Sequence, residues 1–150
     1  MDIETAAEGP LPADTSLLDR ARSRGLRITA QRRVVAEALD GEQAHRTADE
    51  VLARAKELLP EISRATVYSA LAELVEIGVV NEVQFGRAKL YDPNAHLDHH
   101  HLLCERCGRV WDVHVSGPLP QIVTAGSNLP EVAIQRVEVS YIGRCTTCDN

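Results

Sequence analysis

Two cysteine pairs, Cys104-x-x-Cys107 and Cys145-x-x-Cys148, constrain this chain more than any other feature of it. Each pair is a knuckle presenting two thiolates to one point, and two knuckles complete the tetrahedral four-sulfur shell that structural zinc prefers. Gly108 directly follows Cys107, where a knuckle must turn tightly. Four soft ligands leave no open position, so the spacing predicts a structural Zn2+ that ties a strand near Cys104 to the residues around Cys148. A redox use of the same pairs needs a strand-to-helix setting, which the sequence pattern predicts at neither knuckle. The composition makes such a staple useful. Aromatic residues are 3% of the 150, with one Trp and one Phe, so Leu, Val, Ile and Ala must build the core.

Ahead of the knuckles the chain reads as helical. Residues 1–14 hold Gly9, Pro10 and Pro12 among small and acidic side chains and predict a flexible tail. Three helical patterns follow: Leu17, Leu18 and Ala21, from Ser16 to Gly25; Val34, Val35, Ala38 and Leu39, between Thr29 and Gly41; and a third opening at Thr47. Thr47-Ala48-Asp49-Glu50 is a capping box, the apolar stripe is Val51, Leu52, Ala55, Leu58 and Leu59, and Pro60 stops the helix. A fourth helix fits Ser63 to Ile77, with Ser63 as N-cap, Val67, Leu71, Leu74 and Val75 facing the core, and Gly78 past the end. Arg64 and Tyr68, four apart, share its outer face near Thr66 and Ser69. Val79 to Phe85 and Ala88 to Tyr91 read as strands joined at Gly86 and Arg87. Helices followed by a hairpin over 15–91 make a winged-helix pattern.

From Asp92 to residue 150 the character changes to strands: His99 to Leu103, Val110 to Val115, and Val132 to Ile142, where apolar Val137, Val139 and Tyr141 alternate with Glu138 and Ser140. Residues 116–130 carry three Pro and two Gly, a poor setting for a helix. The two-residue period of a strand puts His99 and His101 on one face and His100 on the other; it also puts Asp112 and His114 on one face of the next strand. If those strands pair, imidazoles and a carboxylate converge, and Asp92 could add an oxygen. Nitrogen and oxygen donors without thiolate suit Fe(II), Mn(II), Zn(II) or Ni(II) in an exchangeable site.

Net charge is −6, against a protein that coats nucleic acid unspecifically. Yet Arg20, Arg22, Arg24, Arg27, Arg32 and Arg33 form a run without acidic residues that could meet phosphates locally. No apolar run approaches a bilayer's thickness, and the acidic N-terminus lacks a signal peptide's apolar core, so the expectation is a cytoplasmic protein without membrane contact.

In combination, TAQRRVVAEAL (29–39), HRTADEVL (45–52), EISRATVYSALAELVEIGVV (61–80), HHHLLCERCGRVWDV (99–113) and GRCTTC (143–148) resemble the ferric uptake regulator (Fur) family. The resemblance covers about residues 16–148. It implies an α+β architecture: an N-terminal winged helix-turn-helix DNA-binding domain over 15–91, then a small α/β dimerisation and metal-sensing domain over 92–150 with the four-cysteine zinc site. It also implies a metal-dependent repressor, not an enzyme, whose homodimer grips an inverted-repeat, double-stranded operator. The fourth helix would lie in the major groove, with Arg64, Thr66 and Tyr68 at bases or backbone and Arg27 at phosphates. Carried over by position, the structural zinc falls on Cys104, Cys107, Cys145 and Cys148, and the regulatory Fe2+ or Mn2+ on His45, Asp92, His99, His101 and Asp112. Asp at 92 and 112, where iron-sensing relatives more often have Glu, resembles the peroxide-sensing branch, in which bound Fe(II) leads to oxidation of a ligand His; His45 and His99 would be the oxidisable ones. The zinc-sensing branch has a Cys near position 92, and this chain has none. An additional metal site of some relatives lacks its late His here, which leaves His96 and His100 as spectators.

Two rival classes stand beside this expectation. A hydrolytic metalloenzyme could use the His/Asp set with an open position, but no general base is evidently placed and the Arg64/Tyr68 row would have no role. A zinc-ribbon interaction module without DNA binding is the other.

Overall fold

In the computed structural model the described residues are 15–41, 44–95, 99–122, 126, 128, 130, 133–134 and 137–149. The chain divides into two compact units, Met1–Leu97 and Asp98–Asn150. The expected tail (1–14), His96 and the expected strand start at Val132 lie outside the described residues.

Four helices begin the first unit: α1 (Leu17–Ser23), α2 (Ala30–Leu39), α3 (Ala48–Leu58) and α4 (Arg64–Glu76). A side-chain oxygen starts each one by accepting an otherwise orphaned backbone N–H: Ser16 from Asp19, Thr29 from Arg32, Thr47 from Glu50 and Ser63 from Thr66. At α3 the box is complete, because the Glu50 carboxylate also accepts from the Thr47 amide at 2.8 Å. Their inward faces merge into one core in which Leu17, Val35, Leu39, Val51, Val67, Leu71 and Leu74 are fully buried. Leu58, expected on the inner stripe of α3, is 54% exposed. It sits at the edge of that face in the last turn, and Leu59 packs on the core instead. Ile62, its amide donating to the Leu59 carbonyl, closes the turn between α3 and α4.

The wing is β1 (Asn81–Phe85) and β2 (Ala88–Asp92), antiparallel from Asn81↔Asp92 to Phe85↔Ala88. Gly86 takes φ +58° in the connecting turn, where a side chain would be strained. Asp92, placed by sequence at the head of the second module, is thus the last paired residue of this hairpin. An isolated antiparallel bridge, Arg46↔Tyr91, pins the segment before α3 to β2 through two backbone hydrogen bonds.

The second unit is a three-stranded sheet in the order β4-β3-β5, built from β3 (His100–Cys104), β4 (Val110–Val113) and β5 (Ser140–Gly143), followed by the short α5 (Thr146–Asp149), so that, against expectation, the second cysteine knuckle lies between a strand and a one-turn helix. β3 pairs antiparallel with β4 and parallel with β5. The described residues between β4 and β5 form neither helix nor strand. The Pro and Gly of 116–130 account for the lack of a helix, but the strand expected from Val132 is shorter, since the described residues 133–134 and 137–139 are not strand and β5 begins at Ser140. The expected alternation through Val137 and Tyr141 does not mark a core face: both are exposed, as is Ile142 at 67%. β5 is an edge strand, and the side chains of Tyr141 and Ile142 have no covering layer among the described residues. Only His100, His101, Cys104 and Val110 are buried among the described residues here, a small core for a sheet, and one that a metal bound by the four cysteines would reinforce. Among the described residues no helix is long and apolar enough to cross a membrane.

Candidate metal centres and nucleic-acid face

The cysteine tetrad is assembled by two turns. Cys104 ends β3, and the chain reverses through Cys107 and Gly108, whose φ of +72° lets its amide reach back to the Cys104 carbonyl at 2.9 Å. The parallel pairing of β5 with β3 then brings Gly143 beside Cys104 and delivers Cys145 and Cys148 to the same place. All four sulfurs lie within 4.8 Å of one another, and Cys107 and Cys145 are 3.9 Å apart. Four sulfurs at zinc–thiolate bond length have edges of about 3.8 Å, so the donor set fits a tetrahedral ion. Its electrostatics already favour thiolate at one corner. Backbone N–H groups of Cys107 and Cys145 pull the Cys104 thiol down to about 6, while hydrogen bonds with Cys145 and Cys107 push Cys148 up to about 12.

The nitrogen and oxygen donors form a set in each unit. In the first, the Arg46–Tyr91 bridge holds His45 beside the end of β2. His45 Nε2 lies 3.9 Å from Asp92 Oδ1, with both side chains almost wholly buried. Asp92 Oδ1 is oriented by the Asn94 amide at 2.8 Å. In the second unit the register His101↔Asp112 does what the strand period predicts. His99 and His101 Nε2 lie 3.4 and 3.8 Å from Asp112 Oδ1, their rings edge to face at 4.9 Å. His100 turns to the other face, where its Nδ1 accepts the Val139 amide at 3.2 Å. His114 lies beyond the end of β4, exposed. Sequence reasoning missed Glu138, whose Oε1 is 3.1 Å from His101 Nδ1; a carboxylate in a segment read as alternating strand gave no signal of that contact.

The outer face of α4 carries Arg64 and Tyr68, both exposed, with Thr66 hydrogen-bonded to Ser63. Arg64 also pairs with Asp49 of α3. Between α2 and α4 runs a shallow cleft lined by Thr29, Gln31, Arg32, Thr66, Ser69 and Glu73. The arginine run divides. Arg20, expected in a phosphate-facing patch, is 2% exposed and its Nη1 donates to the Pro93 carbonyl at 2.6 Å. It falls on the inner face of α1, one turn from Leu17 and next to Ala21, and so points into the unit. Arg32 is held by both oxygens of Glu73, at 2.6 and 2.8 Å, and Arg22 by Asp19. Arg24, Arg27 and Arg33 remain exposed and carry no ion pair among the described residues.

A winged helix joined to a sheet with a four-cysteine group and histidine–aspartate donors is matched by the ferric uptake regulator family model over residues 23–125. The chain belongs to that family. It is 31% identical over 128 residues to the peroxide-responsive repressor PerR of Staphylococcus epidermidis, covering 85% of this chain and 84% of that protein. Against the peroxide operon regulator of Bacillus subtilis it is 31% identical over 131 residues, covering 87% and 90%. The crystal structure of the Vibrio cholerae ferric uptake regulator matches with a TM-score of 0.64 at 25% identity, covering 85% of this chain and 98% of that one. This Fur-family chain is a metal-sensing, DNA-binding transcriptional repressor, and these relatives are named as regulators, not enzymes.

Proposed function

We propose that this repressor senses peroxide through a regulatory Fe(II) and holds an inverted-repeat operator as a homodimer while the metal is bound. The observation that carries the proposal is the pair of thiolate-free donor sets, His45 with Asp92 and His99 with His101 and Asp112. Neither alone supplies the roughly five to six donors that Fe(II) or Mn(II) takes, and their nitrogen and oxygen chemistry suits those ions. A shared ion would therefore favour closure of the two units on each other. A 100-fold preference for the closed state is about 2.7 kcal/mol, within the ordinary range of allosteric coupling.

Bound Fe(II) would supply the electrons that reduce a peroxide bond. Asp92 and Asp112 hold negative charge against the ion, and the imidazoles of His45 and His99 are the groups at risk of oxidation. Losing either one removes a donor from its set and with it the link between the units. The kinship with relatives named for peroxide response supports this choice. Zn2+ is proposed for the cysteine tetrad. The α4 face, Arg64, Thr66 and Tyr68, is proposed for the major groove, and Arg27 for phosphates. The exposed Tyr141 and Ile142 on an edge strand fit burial against a second copy. Four cysteines gathered as a metal-binding tetrad instead of disulfides suit a reducing cytoplasm.

The test is binding of zinc-retaining protein to genomic DNA fragments, with and without anaerobic Fe(II) or Mn(II), before and after brief peroxide. Binding lost after peroxide only in the Fe(II) sample, with added oxygen mass on His45 or His99, is the expected result. Metal-dependent binding that survives peroxide makes the chain an iron or manganese sensor, and binding indifferent to every metal removes the regulatory site.

A further inference from the structure

Two adjacent histidines are gripped by two adjacent residues of one segment. Glu138 Oε1 meets His101 Nδ1 at 3.1 Å, the Val139 amide donates to His100 Nδ1 at 3.2 Å, and the His101 amide donates to the Val139 carbonyl at 3.2 Å. These contacts precede the Ser140↔His101 pairing that opens β5. They have opposite consequences for the two rings. A carboxylate only accepts, so the proton between Glu138 and His101 sits on Nδ1, and the neutral ring keeps its lone pair on Nε2, the atom 3.8 Å from Asp112. An amide only donates, so His100 Nδ1 must be the acceptor and its proton sits on Nε2. One ring is prepared to donate a lone pair to an ion, and the other has its Nδ1 lone pair committed to the backbone.

We propose that Glu138 is a positioning residue of the regulatory site: it fixes His101 as the Nδ1–H tautomer, presents Nε2 as the ligand, and so strengthens binding of a divalent cation. The proposal rests on the regulatory-site reading above. The physical ground is that a carboxylate on the far nitrogen of a ligating imidazole sets its tautomer and orientation and raises its basicity, and loss of such partners typically costs about 10- to 100-fold in metal affinity. The His101 side chain is 3% exposed, so water has little access to replace the carboxylate, whereas Glu138 is 31% exposed and can be changed with little cost to packing.

The experiment compares wild type, E138A, E138Q and H101A, all zinc-retaining, with thermal unfolding and zinc content checked for each. Two-bond 1H–15N correlation spectra at about pH 8, above the imidazole range, assign the tautomers without regulatory metal. Competition with a fluorescent chelator gives the Mn(II) dissociation constant. The expected result is Nδ1–H on His101 and Nε2–H on His100 in wild type. In E138A, His101 shifts toward Nε2–H with Mn(II) binding weakened about tenfold; E138Q, which still offers a carbonyl acceptor, keeps the tautomer with a smaller loss; His100 is unmoved throughout. Nε2–H on His101 in wild type, or wild-type Mn(II) affinity in E138A, overturns the inference and leaves the regulatory site standing. Loss in E138A as complete as in H101A also overturns it, by making Glu138 a ligand. Wild type that binds no Mn(II), or H101A that binds it equally well, overturns the regulatory site and the inference with it.

Discussion

Replacing Arg20 by methionine sets two effects of opposite sign against each other in the first unit. The guanidinium is buried, donates to the Pro93 carbonyl at 2.6 Å, and feels Asp40 and Asp92. Burial is the largest influence on it and pulls its pKa below arginine's ordinary value, with the two carboxylates opposing. Methionine fills most of the aliphatic volume and removes the charge. Losing a charged hydrogen bond costs about 1.5–3 kcal/mol, and part is regained because a cation no longer has to be desolvated, leaving a net loss of about 1–2 kcal/mol. For a unit of this size that lowers the unfolding midpoint by about 5–15 °C. Regulatory-metal affinity should move the other way. A unit charge near a divalent ion opposes binding by on the order of 1 kcal/mol even at a water-like dielectric constant and by more at a buried site, so R20M should bind Mn(II) at least about fivefold tighter. Differential scanning fluorimetry and chelator competition on the same samples read both quantities. If affinity falls together with the midpoint, Arg20 acts by holding the Asp92–Asn94 turn in shape and the electrostatic reasoning is refuted; an unchanged midpoint refutes the hydrogen-bond estimate.

Three further expectations concern other parts of the molecule. T47A removes the side-chain half of the α3 capping box and should cost about 1 kcal/mol, a midpoint about 5 °C lower by circular dichroism, while T47S stays near wild type; equal midpoints for T47A and T47S would mean the box contributes nothing. Hydrogen bonds from Arg32 hold Glu73 below its ordinary 4.5, so its folded pKa lies under its unfolded one: the stabilisation is fully present above that value and is lost as pH falls through the lower, folded value. Midpoints measured from pH 7 down to pH 3 should therefore fall less steeply in E73Q than in wild type, and parallel curves would dismiss the pair as a source of acid sensitivity. C107S should lose its zinc in a colorimetric chelator assay, and amide exchange along β3 should then accelerate while the core amides of α2 and α4 stay protected; a protected β3 in zinc-free protein would show that the sheet stands without the staple.

Helix boundaries were legible because their causes are local. Ser16, Thr29, Thr47 and Ser63 each act within three residues of their own position, and all four appear as N-caps. The placement of His99, His101 and Asp112 on a shared face also followed from a local rule, the period of two, once the strands paired. Arg20 did not follow, since an arginine in a basic run reads as surface and its acceptor, the Pro93 carbonyl, lies 73 residues away. Glu138 was hidden for the same reason, with 37 residues separating it from His101. Apolar alternation around Tyr141 was real in sequence but does not mark a buried face among the described residues, where Val137 and Tyr141 are exposed, because a period of two says that a face is apolar and not what covers it.

The parallel pairing of β3 with β5 has a consequence for the order of events during synthesis. An antiparallel neighbour such as β4 follows β3 after a short turn, but a parallel neighbour must wait for the whole crossover, here the residues from His114 to Val139. The first unit draws its contacts from residues already made and can fold while the ribosome is still translating. The sulfur tetrad cannot: Cys104 and Cys107 emerge well before Cys145 and Cys148, so the nascent chain exposes half of the proposed metal site for the time it takes to make the rest. The proposed zinc, delivered in that interval, would meet two thiols instead of four, and the four-coordinate state would become available only once Cys148 is made. Metal capture and the synthesis of β5 with the second cysteine pair would thereby be coupled in time, and a chain made without that metal would carry a formed winged helix and an unset sheet.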